Sequence, residues 1–493
     1  MMNGAQKSDP PILPKKPANK AGRTAAESVE GSGGIERNAE LQSTVRTQSR
    51  EAVSQAQGRI REAVNRNRGE KLTALLHHIT IDCLRWAFFQ LRKDAAPGID
   101  GTTWEDYAQG LEGNLEELHR RIHTGAYRAQ ASRRKYIPKP DGRQRPLGIA
   151  ALEDKIVQQA VVAILTPIYE AEFLGFGYGF RAGRSQHDAL DALAFGIKAK
   201  KICWILDADI ARFFDTISHA WLIRFVQHRI ADKRIIRLII KWLKAGVLEE
   251  GQRIETTEGT PQGAVISPLL ANIYLHYVYD LWINQWRGRP AHGDRIVVRF
   301  ADDTVVGLQH RDDGERFLAD LKDRLKAFAL SLHPEKTRLI EFGKFAAERR
   351  ARRGEGKPET FDFLGFTHIC GTKANGQGFP LWRKTKRKRL KAKVREVKEE
   401  LRRHMHAPID EQGRWLNRVL TGHYAYFAVP TNSAALSAFR HHLVVRWIRR
   451  LRRRSQRHRR TWARMQKYID RYLPRPRILH PWPEQRFRVK YSR

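Results

Sequence analysis

The sequence predicts an α+β protein in which antiparallel hairpins pack on helices, followed by a helical, strongly basic C-terminal region. Three observations carry this. Val- and Ile-rich runs flank an Asp-Asp pair within Ile296–Leu308, which reads as two short strands joined by a polar turn. Stretches such as Leu152–Tyr169 repeat apolar residues at helical spacing, with Leu152, Ile156, Ala160, Ile164 and Ile168 on one face. Beyond residue 370 the composition shifts: residues 381–403 hold twelve Lys or Arg against three Glu, and Arg446–Arg460 holds nine Arg and no acid.

The chain has 493 residues, enough for about three domains. Its net charge of +38 opposes compaction unless a polyanion neutralises it, so nucleic acid is the first candidate partner. A membrane is disfavoured. The stretch without charges, Gly259–Tyr279, is broken by Pro261, Gln262, Pro268, Asn272 and His276, and no signal-peptide core follows Met1. Cys83, Cys203 and Cys370 lie too far apart for zinc-finger spacing and cannot build a disulfide framework. These features predict an intracellular, soluble, polyanion-binding protein.

The elements follow in order. Residues 1 to about 45, rich in Pro, Lys, Gly, Ser and Ala, are expected to be disordered. Residues 47–75 read as a polar helix, Leu75–Leu91 as an amphipathic helix and Ala95–Gly101 as a Gly/Pro loop. Arg133–Ile149 reads as a cation-bearing hairpin turning at Pro140-Asp-Gly142. Ile202–Ile210 is a strand, Ile223–Leu243 largely helix, Ile266–Tyr279 a buried helix, and Asp312–Leu330 another amphipathic helix. Phe361–Phe366 alternates like a strand. A domain boundary is placed near 370–380. In the Arg-rich run, Leu443, Trp447, Ile448 and Leu451 keep helical spacing and read as core.

The chemistry centres on acids. Asp207 and Asp209, two apart on a strand, share a face. A carboxylate from that strand end, with Asp302 and Asp303 from a nearby hairpin, suits two Mg²⁺ ions about 4 Å apart, the arrangement that activates a 3′-hydroxyl and stabilises pyrophosphate as it leaves. Either acidic pair alone is more often a solvated turn or a helix cap. Between them stands Thr260-Pro-Gln-Gly263, a loop that lets backbone and an amide approach a base or sugar.

Taken in order, Ile137-Pro-Lys…Arg145-Pro-Leu-Gly-Ile149, Tyr178-Gly-Phe-Arg-Ala-Gly-Arg-Ser185, Asp207-Ala-Asp-Ile-Ala-Arg-Phe-Phe-Asp215, Thr260-Pro-Gln-Gly-Ala-Val-Ile-Ser-Pro268, Phe300-Ala-Asp-Asp303 and Leu332-His-Pro-Glu-Lys-Thr337 resemble the reverse transcriptases encoded by group II introns. Gly422-His-Tyr-Ala-Tyr-Phe427, Leu451-Arg-Arg-Arg-Ser-Gln456 and Pro476-Arg-Ile-Leu-His-Pro481 resemble their maturase region. The resemblance covers roughly residues 70–483. It implies a right-hand polymerase with N-terminal helices and fingers at 46–195, a palm at 196–375 and a helical thumb/maturase domain at 376–483, leaving a basic tail at 484–493.

The resemblance also implies roles. Asp209, Asp302 and Asp303 are the catalytic and Mg²⁺-binding carboxylates; Asp209 is preferred to Asp207 because Phe214, five residues on, matches the aromatic that excludes a ribose 2′-hydroxyl. Lys139 and Arg145 match the grip on the triphosphate, Gln262 a residue beside the nucleotide, and Lys336 a candidate general acid. Phe363, Leu364, Gly365 and Phe366 match the primer grip. Lys384, Lys386, Arg387, Lys388 and Arg389, with Arg452, Arg453 and Arg454, are the expected contacts to template and RNA. The implied partners are group II intron RNA, a DNA target or primer and dNTPs, in a bacterial cytoplasm or nucleoid, with a homodimer left open. Three departures stand out: Phe300 replaces the usual Tyr, Ala211-Arg212 the usual Lys-Gly, and Arg181-Ala-Gly-Arg184 the usual Arg-Pro-Gly-Arg. None removes a metal ligand. Without paired cysteines near Arg493, the zinc-dependent His-Asn-His endonuclease of many relatives is expected to be lacking, with priming from elsewhere, such as a nascent strand. Two alternatives are a splicing cofactor whose polymerase is unused and a domesticated, defence-related reverse transcriptase.

Overall fold

The computed structural model describes residues 33–67, 69–138, 144–288, 293–371, 379–454 and 462–490, with side chains from residue 45 to residue 487. Among these described residues eleven strands form three sheets: β1 Ser132–Pro138, β2 Gln144–Ile149, β3 Trp204–Asp209, β4 Val247–Glu249, β5 Gln252–Ile254, β6 Arg295–Phe300, β7 Asp303–Leu308, β8 Arg338–Glu341, β9 Phe361–Phe363, β10 Phe366–Cys370 and β11 Leu381–Thr385. The sheet orders are β6-β7-β3-β8, β2-β1-β4-β5 and β11-β10-β9.

The central sheet, β6-β7-β3-β8, is antiparallel throughout. Its strands are apolar on both faces because both are covered. Leu206, Ala208, Val297, Val306 and Leu308 enter one apolar cluster, built mostly from helices between residues 53 and 330. Their alternates Ile205, Ile296, Val298, Val305 and Ile340 enter a second, shared with the C-terminal helices. That second cluster runs from Tyr178 to Leu473, through the position where a domain boundary was expected. Leu443, Trp447, Ile448 and Leu451 lie in it, buried as predicted.

Several elements differ from expectation, each for a local reason. A helix already runs from Gly33 to Arg66, inside the expected disordered extension; residues 1–32 lie outside the described residues. The stretch Ile223–Leu243 is two helices, His219–Arg229 and Lys233–Lys244, because the Asp232 carboxylate caps the second through the Arg234 N–H. The expected single strand Phe361–Phe366 is a hairpin, and residues 381–385 form its third strand before the helix Arg387–Arg403 begins. Where a basic tail was expected, Pro483–Lys490 is a helix packed on the helix Gln186–Ala199: Lys198 pairs with Glu484 at 2.7 Å, Arg486 with Asp191 at 3.2 Å, and Phe195 stacks on Phe487 at 4.4 Å. Among the described residues no helix is long and apolar enough to cross a membrane.

Candidate active site

The two aspartates are not turn partners. Phe300 pairs with Asp303 across β6 and β7, so the turn is Ala301-Asp302 and Asp303 opens β7. Ala301 takes φ 56°, the left-handed conformation a two-residue hairpin requires. On the neighbouring strand Asp209 lies directly opposite Asp303. By alternation Asp207, Asp209 and Asp303 share one face, with Ile205 and Val305.

Like charge is crowded here. Burial, reinforced by the Asp209 charge, raises the Asp302 pKa, against pulls from Arg145 and Lys336. Asp303 still reaches solvent, yet the atoms packed round it and repulsion from Asp302, Asp209 and Asp207 push it up to about 7. Burial likewise lifts Asp207 to about 6, opposed by Arg338. Lys336 answers part of this charge by an ion pair with Asp209. Its loop is fastened to the end of β3 by the His333 N–H, which donates to the Asp209 carbonyl at 2.7 Å. Among the described residues no three His, Cys, Asp or Glu side chains converge as a metal-binding set. The donor set is all carboxylate oxygen, its crowding offset in part by Lys336 and Arg145, and it has the chemistry that a hard divalent cation takes.

Behind the turn lies a scaffold that sequence reading missed. Arg299, 2 % exposed, forks onto Asp280 at 2.7 and 2.5 Å and donates to the Asn272 side-chain oxygen (3.1 Å) and the Ala301 carbonyl (3.0 Å). Asn272 in turn donates to the Gly179 carbonyl at 2.8 Å. Gly179 lies flat against the turn: a Cβ there would fall on the Ala301 amide nitrogen, with the Phe300 carbonyl carbon 2.9 Å away. The available signal was an Arg inside the apolar run Val297-Val-Arg-Phe300, since a buried guanidinium needs a partner.

The cationic hairpin reaches the site through the Pro261-Gln262-Gly263 loop. The Gly148 N–H of β2 donates to the Gln262 carbonyl at 2.7 Å, and Gly263 (φ 110°) leaves no room for a Cβ against the Gly148 carbonyl. The same segment holds the aromatic expected as a gate: the Thr260 N–H donates to the Phe214 carbonyl at 2.7 Å, and the Gln262 amide reaches Asp215 at 3.5 Å. Phe214 is half-buried and Arg145 exposed. Lys139 and the Pro140-Asp-Gly142 turn lie outside the described residues.

The expected primer-grip segment is the β9–β10 hairpin. Phe363 and Phe366 are buried and pair across it, while Leu364 (φ 47°) and Gly365 (φ 82°) form the turn. C-terminal elements hold that turn: the Tyr426 hydroxyl donates to the Leu364 carbonyl at 2.8 Å, and the Lys386 N–H to the Gly365 carbonyl at 3.0 Å. Not every expected RNA contact is equally available. Lys386 pairs with Asp362 at 3.0 Å, Arg389 lies over the Tyr426 and Phe427 rings at 5.9 Å, and Lys384 over Trp382 at 4.9 Å. The Arg454 guanidinium donates to the Ala407 carbonyl, a structural commitment unforeseen in the sequence. Arg387, Lys388, Arg452 and Arg453 face solvent. Part of the Arg446–Arg460 run, residues 455–460, lies outside the described residues.

Carboxylates facing cations at the end of an antiparallel sheet form a set suited to chemistry on phosphates. The reverse transcriptase (RNA-dependent DNA polymerase) family matches residues 137–368. Protein YkfC of Escherichia coli (strain K12) is 32% identical over 299 residues, which is 52% of this chain and 78% of YkfC. The group II intron-encoded protein LtrA of Lactococcus lactis subsp. cremoris is 42% identical over 244 residues, 48% of this chain but 39% of LtrA. A putative COX1/OXI3 intron 1 protein of Saccharomyces cerevisiae is 28% identical over 305 residues, 52% of this chain and 36% of that protein. The chain belongs to the reverse transcriptase family and is similar to the group II intron-encoded protein LtrA, of which it spans 39%.

Proposed function

We propose that this chain binds group II intron RNA, assists its splicing and copies the RNA into DNA during intron mobility, by two-metal nucleotidyl transfer in a right-hand polymerase. The observation that carries the reading is the register of Asp209 against Asp303, with Asp302 in the adjoining turn. Asp209, Asp302 and Asp303 would hold two Mg²⁺ ions, which when bound supply activation of a primer 3′-hydroxyl and charge stabilisation at the leaving pyrophosphate. Arg145, exposed on β2 and close enough to Asp302 to lower its pKa, neutralises triphosphate charge. Lys336 exchanges its present partner Asp209 for the leaving group and gives a proton from Nζ to a pyrophosphate oxygen. Phe214 bounds the sugar and excludes a 2′-hydroxyl; Gln262 lies beside the base. The Phe363–Phe366 turn seats the primer end. Arg387 and Lys388, on the first turn of their helix, meet backbone phosphates, and Arg452 and Arg453 meet intron RNA. Phe300 keeps the ring of the usual Tyr, so activity survives the lost hydroxyl.

The test is poly(rA)/oligo(dT) extension in Mg²⁺ alongside splicing of a cognate intron, for wild type and Asp302→Ala. Extension abolished with splicing retained is expected. Wild type that splices but never extends, with varied primers, would leave the chain a splicing cofactor and overturn the polymerase reading.

A further inference from the structure

The segment Tyr178–Arg184 matches the family without a role of its own in the reading above, yet it contains the residue beside the aspartate turn whose conformation is hardest to explain by folding. Phe180 takes φ 57°, a left-handed backbone that is strained for a bulky residue. Its ring is 57 % exposed. A strained backbone that presents an apolar ring to water is doubly unfavourable and persists only where its surroundings over-determine it.

The flanks do so. On one side the Tyr178 N–H donates to the Arg299 carbonyl at 2.8 Å, and Gly179 packs on the Ala301 backbone while its carbonyl accepts from Asn272. On the other, Arg181 is 7 % exposed, and its guanidinium bonds Glu170 (2.8 Å) and the carbonyls of Leu174 (2.6 Å) and Gly177 (2.9 Å). Phe180 is therefore held on one side to the backbone of the aspartate turn, through Tyr178 and Gly179, and on the other to Glu170, Leu174 and Gly177, through Arg181. Among the described residues that ring stacks on no other aromatic and lies under no cation, unlike Tyr178, which Arg184 covers at 5.3 Å.

We infer that Phe180 is a nucleic-acid contact: its ring stacks on a base of the primer–template held at the aspartate turn. An exposed aromatic offers a sequence-tolerant platform, because every base has a π-face. The inference rests on the polymerase reading, since without a primer–template at Asp302 the ring has no partner. It makes Phe180 a reporter of where the paired strands pass, one residue from the glycine against which the turn is built.

The test uses the full chain and an RNA template with a DNA primer. Phe180→Ala is expected to raise the KM for primer–template at least fivefold, with the KM for dNTP within twofold of wild type. Phe180→Trp and Phe180→Tyr should restore most of the loss. Phe180→Gly suits φ 57° and should melt no lower than wild type while extending as poorly as Phe180→Ala, which separates contact from folding. Abasic nucleotides placed singly along template and primer should identify the stacked base, where the difference between wild type and Phe180→Ala disappears. Folded Phe180→Ala or Phe180→Gly within twofold of wild type for primer–template, or a defect that no aromatic rescues, overturns the inference. Failure of the polymerase reading is read separately, as absence of extension by wild type.

Discussion

The two hairpin turns that bracket the proposed reaction are built alike and held differently. Phe300-Ala-Asp-Asp303 and Phe363-Leu-Gly-Phe366 are both two-residue turns with left-handed backbone. The first is fixed from within, by the buried chain Arg299, Asp280, Asn272 and Gly179. The second is fixed from outside, by Tyr426 and Lys386 of the C-terminal region. Acids that must keep their mutual geometry stand on a rigid interior, whereas a segment that follows a bound strand is tethered to the helices that would hold it.

The comparison can be broken at its strongest point first. Asp280→Ala leaves Arg299 buried and unpaired; a loss of about 3–5 kcal/mol is expected in chemical denaturation, with extension lost in parallel. Gly179→Ala should act on geometry as well as stability, because the new Cβ meets backbone rather than a movable side chain. The added Cβ displaces Ala301, and a shift near 1 Å would lower kcat for extension about a hundredfold with splicing little changed.

The two hairpins should also answer pH in opposite senses. His368 on β10 is fully buried, stacked on Phe361 at 4.7 Å, and burial lowers its pKa to about 3. Its facing charges are Arg383, which lowers it further, and Asp362, which opposes. Because the unfolded imidazole protonates near 6.5 and the folded one near 3, the unfolded state takes up protons first, and stability is lost as pH falls between those values. Between pH 7 and pH 5 the share of this loss due to His368 should be about 2 kcal/mol, read by urea denaturation as the difference in pH dependence between wild type and His368→Gln, because His187, His276 and His423, whose pKa values burial also lowers, contribute to both. The carboxylates at the other turn have raised pKa values, so acid relieves their repulsion instead. The smallest effect belongs to Tyr426→Phe, which removes one hydrogen bond to the Leu364 carbonyl: about 1 kcal/mol in stability and a weaker hold on the primer end, seen as a faster off-rate from primer–template.

What the sequence could disclose was governed by periodicity and by local caps. The runs about Asp302 were legible because they are rich in Val and Ile and broken by a polar pair, and the cation-bearing hairpin because of its Pro140-Asp-Gly142 turn signal. Phe361–Phe366 was read as one strand because its aromatics alternate, and Leu364 at a left-handed turn position gives no turn signal. Leu381–Thr385 was hidden by its cations, although Leu381, Arg383 and Thr385 point inward and Arg383 finds Asp191 at 2.8 Å. Asp209, Asp302 and Asp303 were legible as a set, but not the pairing of Asp209 with Lys336, 127 residues away, nor that of Arg299 with Asp280, 19 residues away. Arg454 shows the converse: composition made it an RNA contact, and a backbone carbonyl claims it.

The helix Pro483–Lys490 carries a consequence for synthesis. Its Glu484 meets Lys198 across 286 residues of chain, and its Arg486 shares Asp191 with Arg383. A ribosome that has completed the aspartate turns has not yet supplied the helix that covers the outer helix Gln186–Ala199. Until residue 490 emerges, Asp191 lacks one of its two guanidinium partners and Phe195 lacks the ring it stacks on. The half of the chain that holds the aspartates therefore waits, partly unclad, for the helix Pro483–Lys490, and its full stability depends on residues made long after it.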